Sequence, residues 1–200
     1  MTVALAPMAA PPTSPAAMAS RPTRTVLLAN VALSQLGWFA AVLGAAHHMA
    51  PAGTLCVVAV VCWHLSVSAR PGREAILVAL ACAIGFAVET MVALQGHVAY
   101  PSGQPDPHFA PYWMVALWGL FAIALNVSLR WLRPRLWLAA VLGAIVGPLA
   151  FSSGVRLGGA AFVHPVPALL TLALVWGAVL PLLVRLSMRF DGVRAEGQTP

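Results

Sequence analysis

The chain of 200 residues has no lysine and only five acidic residues. Charged residues make up 8% of it, against roughly 25% in an ordinary soluble domain. So little charge cannot keep a domain surface in water, which excludes a soluble globule. A disordered chain is excluded as well, because such chains are charge-rich and poor in apolar residues. Cysteine is scarce: Cys56, Cys62 and Cys82 all lie in apolar runs, and no CxxC pair occurs. That excludes a disulfide framework and leaves the three as small packing residues. A Walker loop, a GxGxxG turn beside a strand and a GxSxG elbow are all missing. Any chemistry must therefore sit within the membrane or at its surface.

What the chain has is apolar sequence, 60% of it. Six runs approach the ~20 residues needed to cross ~30 Å of hydrocarbon. They cover about 25–46, 51–69, 75–98, 110–127, 136 to beyond 150, and 167–186. Backbone polar groups in lipid must pair within their own segment, so these runs are expected to be helices. They lack the ten-residue alternation of a β-barrel. The expected fold is all-α, a polytopic membrane protein built as a compact bundle of six transmembrane helices. Residues 1–24 read as a disordered, Ala/Pro-rich cytoplasmic tail, 25–190 as the membrane domain, and 191–200 as a short cytoplasmic tail. The first run, about 22 residues, exceeds the roughly 7–15 of a signal-peptide core, so it reads as a retained anchor.

The arginines give direction. Arg21 and Arg24 precede the first run, Arg70 and Arg73 follow the second, and Arg130, Arg133 and Arg135 follow the fourth. Arg185, Arg189 and Arg194 close the sixth, and only Arg156 falls on the other side. Basic short loops stay in the cytoplasm. The expectation is a bacterial inner (plasma) membrane protein with both termini cytoplasmic. The net charge of +6 is spread over these juxtamembrane sites. Anionic lipid headgroups account for it, and no nucleic-acid partner is expected.

Aromatics fall near the span ends. Trp131 and Trp137 flank the arginine cluster, and Tyr100, Tyr112 and Trp113 flank the opposite loop, as headgroup anchors would. Span five carries two GxxxG pairs, Gly143/Gly147 and Gly154/Gly158, which suit close helix contact. It therefore reads as a closely packed central helix. Pro148 should bend it, and the stretch after Phe151 reads as either a kinked extension or a re-entrant piece.

Ionisable groups within hydrocarbon are costly and mark sites or structural pairs. Glu89 lies in the outer half of span three, about 21 Å along it. Arg156, about 30 Å along span five, could meet it there. A structural ion pair, a protonated Glu89 bonded to a neighbour, and a binding or acid-base role all remain open. A second polar set, Asn30, Gln35, His64 and Asn126, sits toward the arginine-rich side. It reads as an interhelical hydrogen-bond network or a headgroup pocket. The outer loops hold His47, His48, His97, Asp106, His108 and His164 without any recognised ligand spacing, so no metal or other cofactor is expected.

Three segments carry a resemblance: Gln35-Leu-Gly-Trp-Phe-Ala-Ala-Val-Leu-Gly-Ala-Ala46, Leu117-Trp-Gly-Leu-Phe with Asn126-Val-Ser-Leu-Arg-Trp-Leu132, and Gly143-Ala-Ile-Val-Gly-Pro-Leu-Ala-Phe151 with Arg156-Leu-Gly-Gly159. With these the chain resembles the bacterial inner-membrane family DUF2878, over roughly residues 25–190. The family has no established activity or catalytic residues to carry over. It often has an acidic residue at the position of Glu89. Its genes often lie near ones resembling lipid-modifying enzymes, so the resemblance implies a role around membrane lipids. The expected function is accessory to modification or handling of lipids, with membrane lipids and another membrane protein or a lipid-modifying enzyme as partners. The alternatives are a small permease using a Glu89–Arg156 pair and an intramembrane lipid-modifying enzyme.

Overall fold

Six helices alternate in direction in the computed structural model, which describes residues 22–193. The readings of 1–21 and 194–200 as tails fall outside the described residues. The helices are α1 (Arg24–Ala46), α2 (Ala50–Val67), α3 (Pro71–Leu94), α4 (Tyr112–Leu125), α5 (Leu136–Arg156) and α6 (Pro165–Arg189). Their starts follow from sequence. Thr23 caps α1, its hydroxyl accepting from the Val26 N–H at 3.3 Å. Proline opens α2, α3 and α6, where a missing N–H costs nothing.

Five of the helices are long and apolar enough to cross a membrane. Leu28, Leu55 and Leu174 point out of the bundle, as side chains do when the solvent is lipid. The protein is a multi-pass membrane protein. The exception is α4, whose 14 residues span only about 21 Å. It runs into tight turns and a 3-10 turn at Arg130–Leu132.

This short helix is the centre of the bundle. It packs against α1, α2, α3 and α6 and buries Trp113, Trp118, Gly119, Leu120, Ala122, Ile123 and Leu125. The sequence assigned the central place to α5, and the structure corrects that. Only Ala139 and Gly143 of α5 are buried, and its main neighbour is α6. Its glycines do permit close contact. A Cβ at Gly143 would collide with the Trp176 carbonyl, and one at Gly147 with the Trp176 ring. The physical reason is that small residues serve one close interface, whereas a central helix needs bulky apolar side chains all round.

Beyond Pro148, α5 continues unbroken to Arg156, so the re-entrant reading does not hold. Gly158 then turns the chain with φ +86°, a conformation glycine adopts without a side-chain penalty. The next residues form β2 (Ala161–Phe162), which pairs antiparallel with β1 (Val98–Ala99), tying the α5–α6 connection to the α3–α4 connection. This is the far end of the bundle, opposite the arginine-rich end.

Candidate functional site

Two buried glutamates on α3 organise the polar interior. Glu74, in the first turn, is 0% exposed. Its Oε2 lies 3.0 Å from His64 Nε2 on α2. Its Oε1 accepts from Asn126 Nδ2 at 2.7 Å and from the Gly192 backbone N–H at 2.6 Å. Arg133 donates to Asn126 Oδ1 at 2.6 Å, and both Arg130 and Arg133 pair with Asp191 at 2.8 and 2.9 Å. Residues 191–193, assigned by the sequence to a tail, thus close over the bundle. The Gly192 carbonyl accepts from the Arg70 N–H, and a Cβ at Gly192 would collide with the Arg70 carbonyl oxygen. This cluster joins α2, α3, α4, the α4–α5 connection and the end of α6.

Glu89 lies fifteen residues further along α3 and is 2% exposed. Its Oε1 accepts from Trp118 Nε1 at 3.1 Å. Its Oε2 accepts from the Tyr100 hydroxyl at 3.3 Å, longer than the ~2.5–3.0 Å of a good O–H···O bond. Burial first, and the Glu89 carboxylate second, push the Tyr100 phenol well above its ordinary pKa, so it remains a donor. Trp118 in turn stacks on Trp176, with ring centroids 4.8 Å apart.

Glu89 lines a groove of about 630 Å³ between α1 and α5 with α4 as its floor. The two wall helices share no extended interface. They approach at the far end, where Val42 and Ala46 meet Gly158 and Gly159. Trp118, Leu120, Leu132 and Gly143 form buried floor, while Val31, Gln35, Val146 and Trp131 form an exposed rim. The lining is almost wholly apolar. Its polar groups are Glu89, Gln35, Ser128 and Ser34, whose buried hydroxyl has no partner among the described residues.

One comparison with known proteins bears on this arrangement. Residues 27–182 match the family described as "Protein of unknown function (DUF2878)". The chain belongs to the DUF2878 family. Neither a curated protein nor a solved structure matches it. The family match covers the floor and both walls of the groove, as well as Glu74 and Glu89, and stops short of Asp191 and Gly192.

The sequence-predicted residues of this DUF2878 protein separate into three places. His64 and Asn126 come together through Glu74. Asn30 is buried apart from them, donating to the Ile123 carbonyl at 3.3 Å. Gln35 sits on the groove rim. The expected single network of four is thus a cluster and two separate residues.

The Glu89–Arg156 pair does not form. Glu89 faces Trp118 and Tyr100, whereas Arg156 is exposed at the end of α5 and makes no ion pair among the described residues. Depth along the helices was the right measure, but azimuth decided the outcome. Gly154 faces the groove, and two residues further on is about 200° around the helix.

Sequence reasoning missed Glu74, Arg130, Arg133 and Asp191 as partners. It also read Tyr100 and Trp113 as headgroup anchors. Trp113 is buried instead, donating to the Ser102 carbonyl at 3.1 Å, and Tyr100 belongs to the Glu89 site. The outer-loop histidines form only small pairings: His97 packs edge-on to His164, and His108 pairs with Asp106. Among the described residues, no three His, Cys, Asp or Glu side chains group to hold a metal.

Proposed function

We propose that this DUF2878 protein holds the hydrocarbon chain of a lipid in the groove between α1 and α5, as an accessory to modification or handling of membrane lipids. The observation that carries this reading is the lateral opening. The rim residues Val31, Gln35, Val146 and Trp131 are exposed on the side of the bundle, where the solvent is lipid acyl chain. A volume of about 630 Å³ falls in the roughly 300–1,000 Å³ range of small-molecule sites. Along α5 the lining runs from Leu142 to Gly154, about 18 Å of a ~30 Å hydrocarbon core, and it continues to Trp131 and Leu132 at one end and to Gly159 and Ala160 at the other. The occupant is therefore a lipid chain, and a lipid-modifying membrane protein is the partner that would receive or act on it.

The arginine bias supports a bacterial inner-membrane setting with both termini cytoplasmic. The permease alternative gains nothing from α5, which has no break at Pro148, or from Arg156, which faces away from Glu89. The enzyme alternative gains little from Glu89, whose neighbours are an indole and a phenol rather than a nucleophile and base.

The test is photolabelling in membranes with a phospholipid bearing a diazirine on its acyl chain. Labelled peptides should concentrate on the groove faces of α1, α4 and α5. Ala150→Trp, which places a bulky ring at the exposed rim of the groove, should remove most of that labelling. Labelling spread evenly over all lipid-facing helices would overturn the reading. Reporter fusions after Asp106 and at the C-terminus should report opposite sides of the membrane, and finding both on one side would overturn the topology.

A further inference from the structure

The groove is largely apolar but includes, toward the far end, the Glu89 carboxyl group, which has few donors. Glu89 offers two oxygens, with about four lone-pair sites between them when ionised. Two donors reach it, Trp118 Nε1 at 3.1 Å and the Tyr100 hydroxyl at 3.3 Å. The second is too long to be a strong bond, and both oxygens are acceptors in this arrangement. Glu74 on the same helix receives contacts of 2.6, 2.7 and 3.0 Å and lines no described cavity. A buried acceptor left short of donors carries a cost that a ligand can relieve. The lining shared with Glu89 includes Trp113, Trp118 and Phe151, and among the described residues only Trp118 and Tyr100 donate to the carboxyl group.

Position selects the occupant further. Glu89 is five residues before the last residue of α3, about 7.5 Å from the far end of that helix. A lipid whose chain lies along the groove toward Val31 and Trp131 would bring its polar tip there. The tip must supply a proton to an acceptor. A hydroxyl can do so. A phosphate or a fatty-acid carboxylate would carry its own charge into an apolar, low-dielectric site, a desolvation cost that an uncharged hydroxyl avoids. A plain alkane tip leaves the acceptor unrelieved.

We infer that the groove is selective for a lipid alcohol, its chain between α1 and α5 and its hydroxyl donating to Glu89. This rests on the proposed lipid-chain site and names the chemistry of its occupant. The hydroxyl has two sources, a free long-chain alcohol or the glycerol of a diacylglycerol.

The experiment is competition against the diazirine probe on the full-length protein in detergent at pH 8, using octadecanol, dioleoylglycerol, stearate and octadecane. Wild type should be displaced about 10-fold more effectively by an alcohol than by octadecane or stearate, as expected for one hydrogen bond. Displacement by octadecanol identifies the free alcohol, and displacement by dioleoylglycerol alone identifies the glyceride. Glu89→Leu should bring the alcohol down to the octadecane level while leaving octadecane unchanged. Glu89→Gln, which keeps the shape and a hydrogen-bonding oxygen if the leucine variant fails to fold, should reduce the alcohol preference and admit stearate. Equal displacement by alcohol and alkane overturns the alcohol assignment and leaves the lipid groove standing. Displacement by none of the four overturns both.

Discussion

Glu74 and Glu89 are the same residue type on the same helix, both buried, and they sit in opposite circumstances. Glu74 is bound by a histidine, an asparagine amide and a backbone N–H, each from a different element. Glu89 is bound by two aromatic donors, one of them distant, and faces a groove. Burial alone therefore does not mark a functional carboxylate. A saturated one fastens helices together, and an under-satisfied one beside a cavity has capacity left for a ligand. Removing the first should cost stability and removing the second should cost binding.

The comparison breaks most sharply at Glu74. Glu74→Ala strands the Gly192 N–H and the His64 and Asn126 side chains in a buried site. Losing one member of such a set should lower stability by about 3–5 kcal/mol, read by unfolding in detergent. Glu74→Gln, able to accept from Gly192 but lacking the carboxylate's full accepting capacity, should recover only part of that loss.

Gly192→Ala tests the same lock from the strap, since its Cβ would collide with the Arg70 carbonyl and press on the Glu74 side chain at 3.0 Å. A cost of about 1–3 kcal/mol is expected, from overpacking, with no change in lipid labelling.

Glu89→Gln should cost only about 1 kcal/mol, because one of two hydrogen bonds can persist, yet it should change ligand selectivity. A larger stability loss than Glu74→Gln would erase the distinction between the two carboxylates.

The smallest effect belongs to Asp191→Asn. The Arg130 and Arg133 pairs are partly solvated, with Asp191 at 23% exposure, so the loss should stay below about 1 kcal/mol. It should shrink further as salt is raised in the unfolding assay.

The helices were legible because length and hydropathy are local properties. The predicted 25–46 and the observed Arg24–Ala46 differ by one residue at the start. The role of α4 was not legible, because centrality depends on what surrounds a helix rather than on what it contains. Depth was legible too, which put Glu89 near the far end and His64 and Asn126 near the other. Azimuth and loop path were not. Arg156 lies at a workable depth for Glu89 but on the wrong face, and Tyr100 reaches Glu89 only because the loop after β1 folds inward. Glu74 did carry a signal: an acidic residue beside Arg70 and Arg73 in the first turn of a membrane helix. It was hidden because the basic loop around it already had an explanation in topology. Asp191 and Gly192 offered none, since a strap closing over a bundle is set by three-dimensional contacts with Arg70, Arg130 and Arg133.

The measurement that goes straight to the division of labour is the unfolding temperature of wild type, Glu74→Gln and Glu89→Gln, each with and without octadecanol. A ligand that binds only the folded protein raises that temperature. Glu74→Gln should start lower than wild type and show the full rise. Glu89→Gln should start near wild type and rise clearly less than wild type does with octadecanol. If both variants fall together and both keep or both lose the octadecanol response, the two carboxylates do not have separate roles.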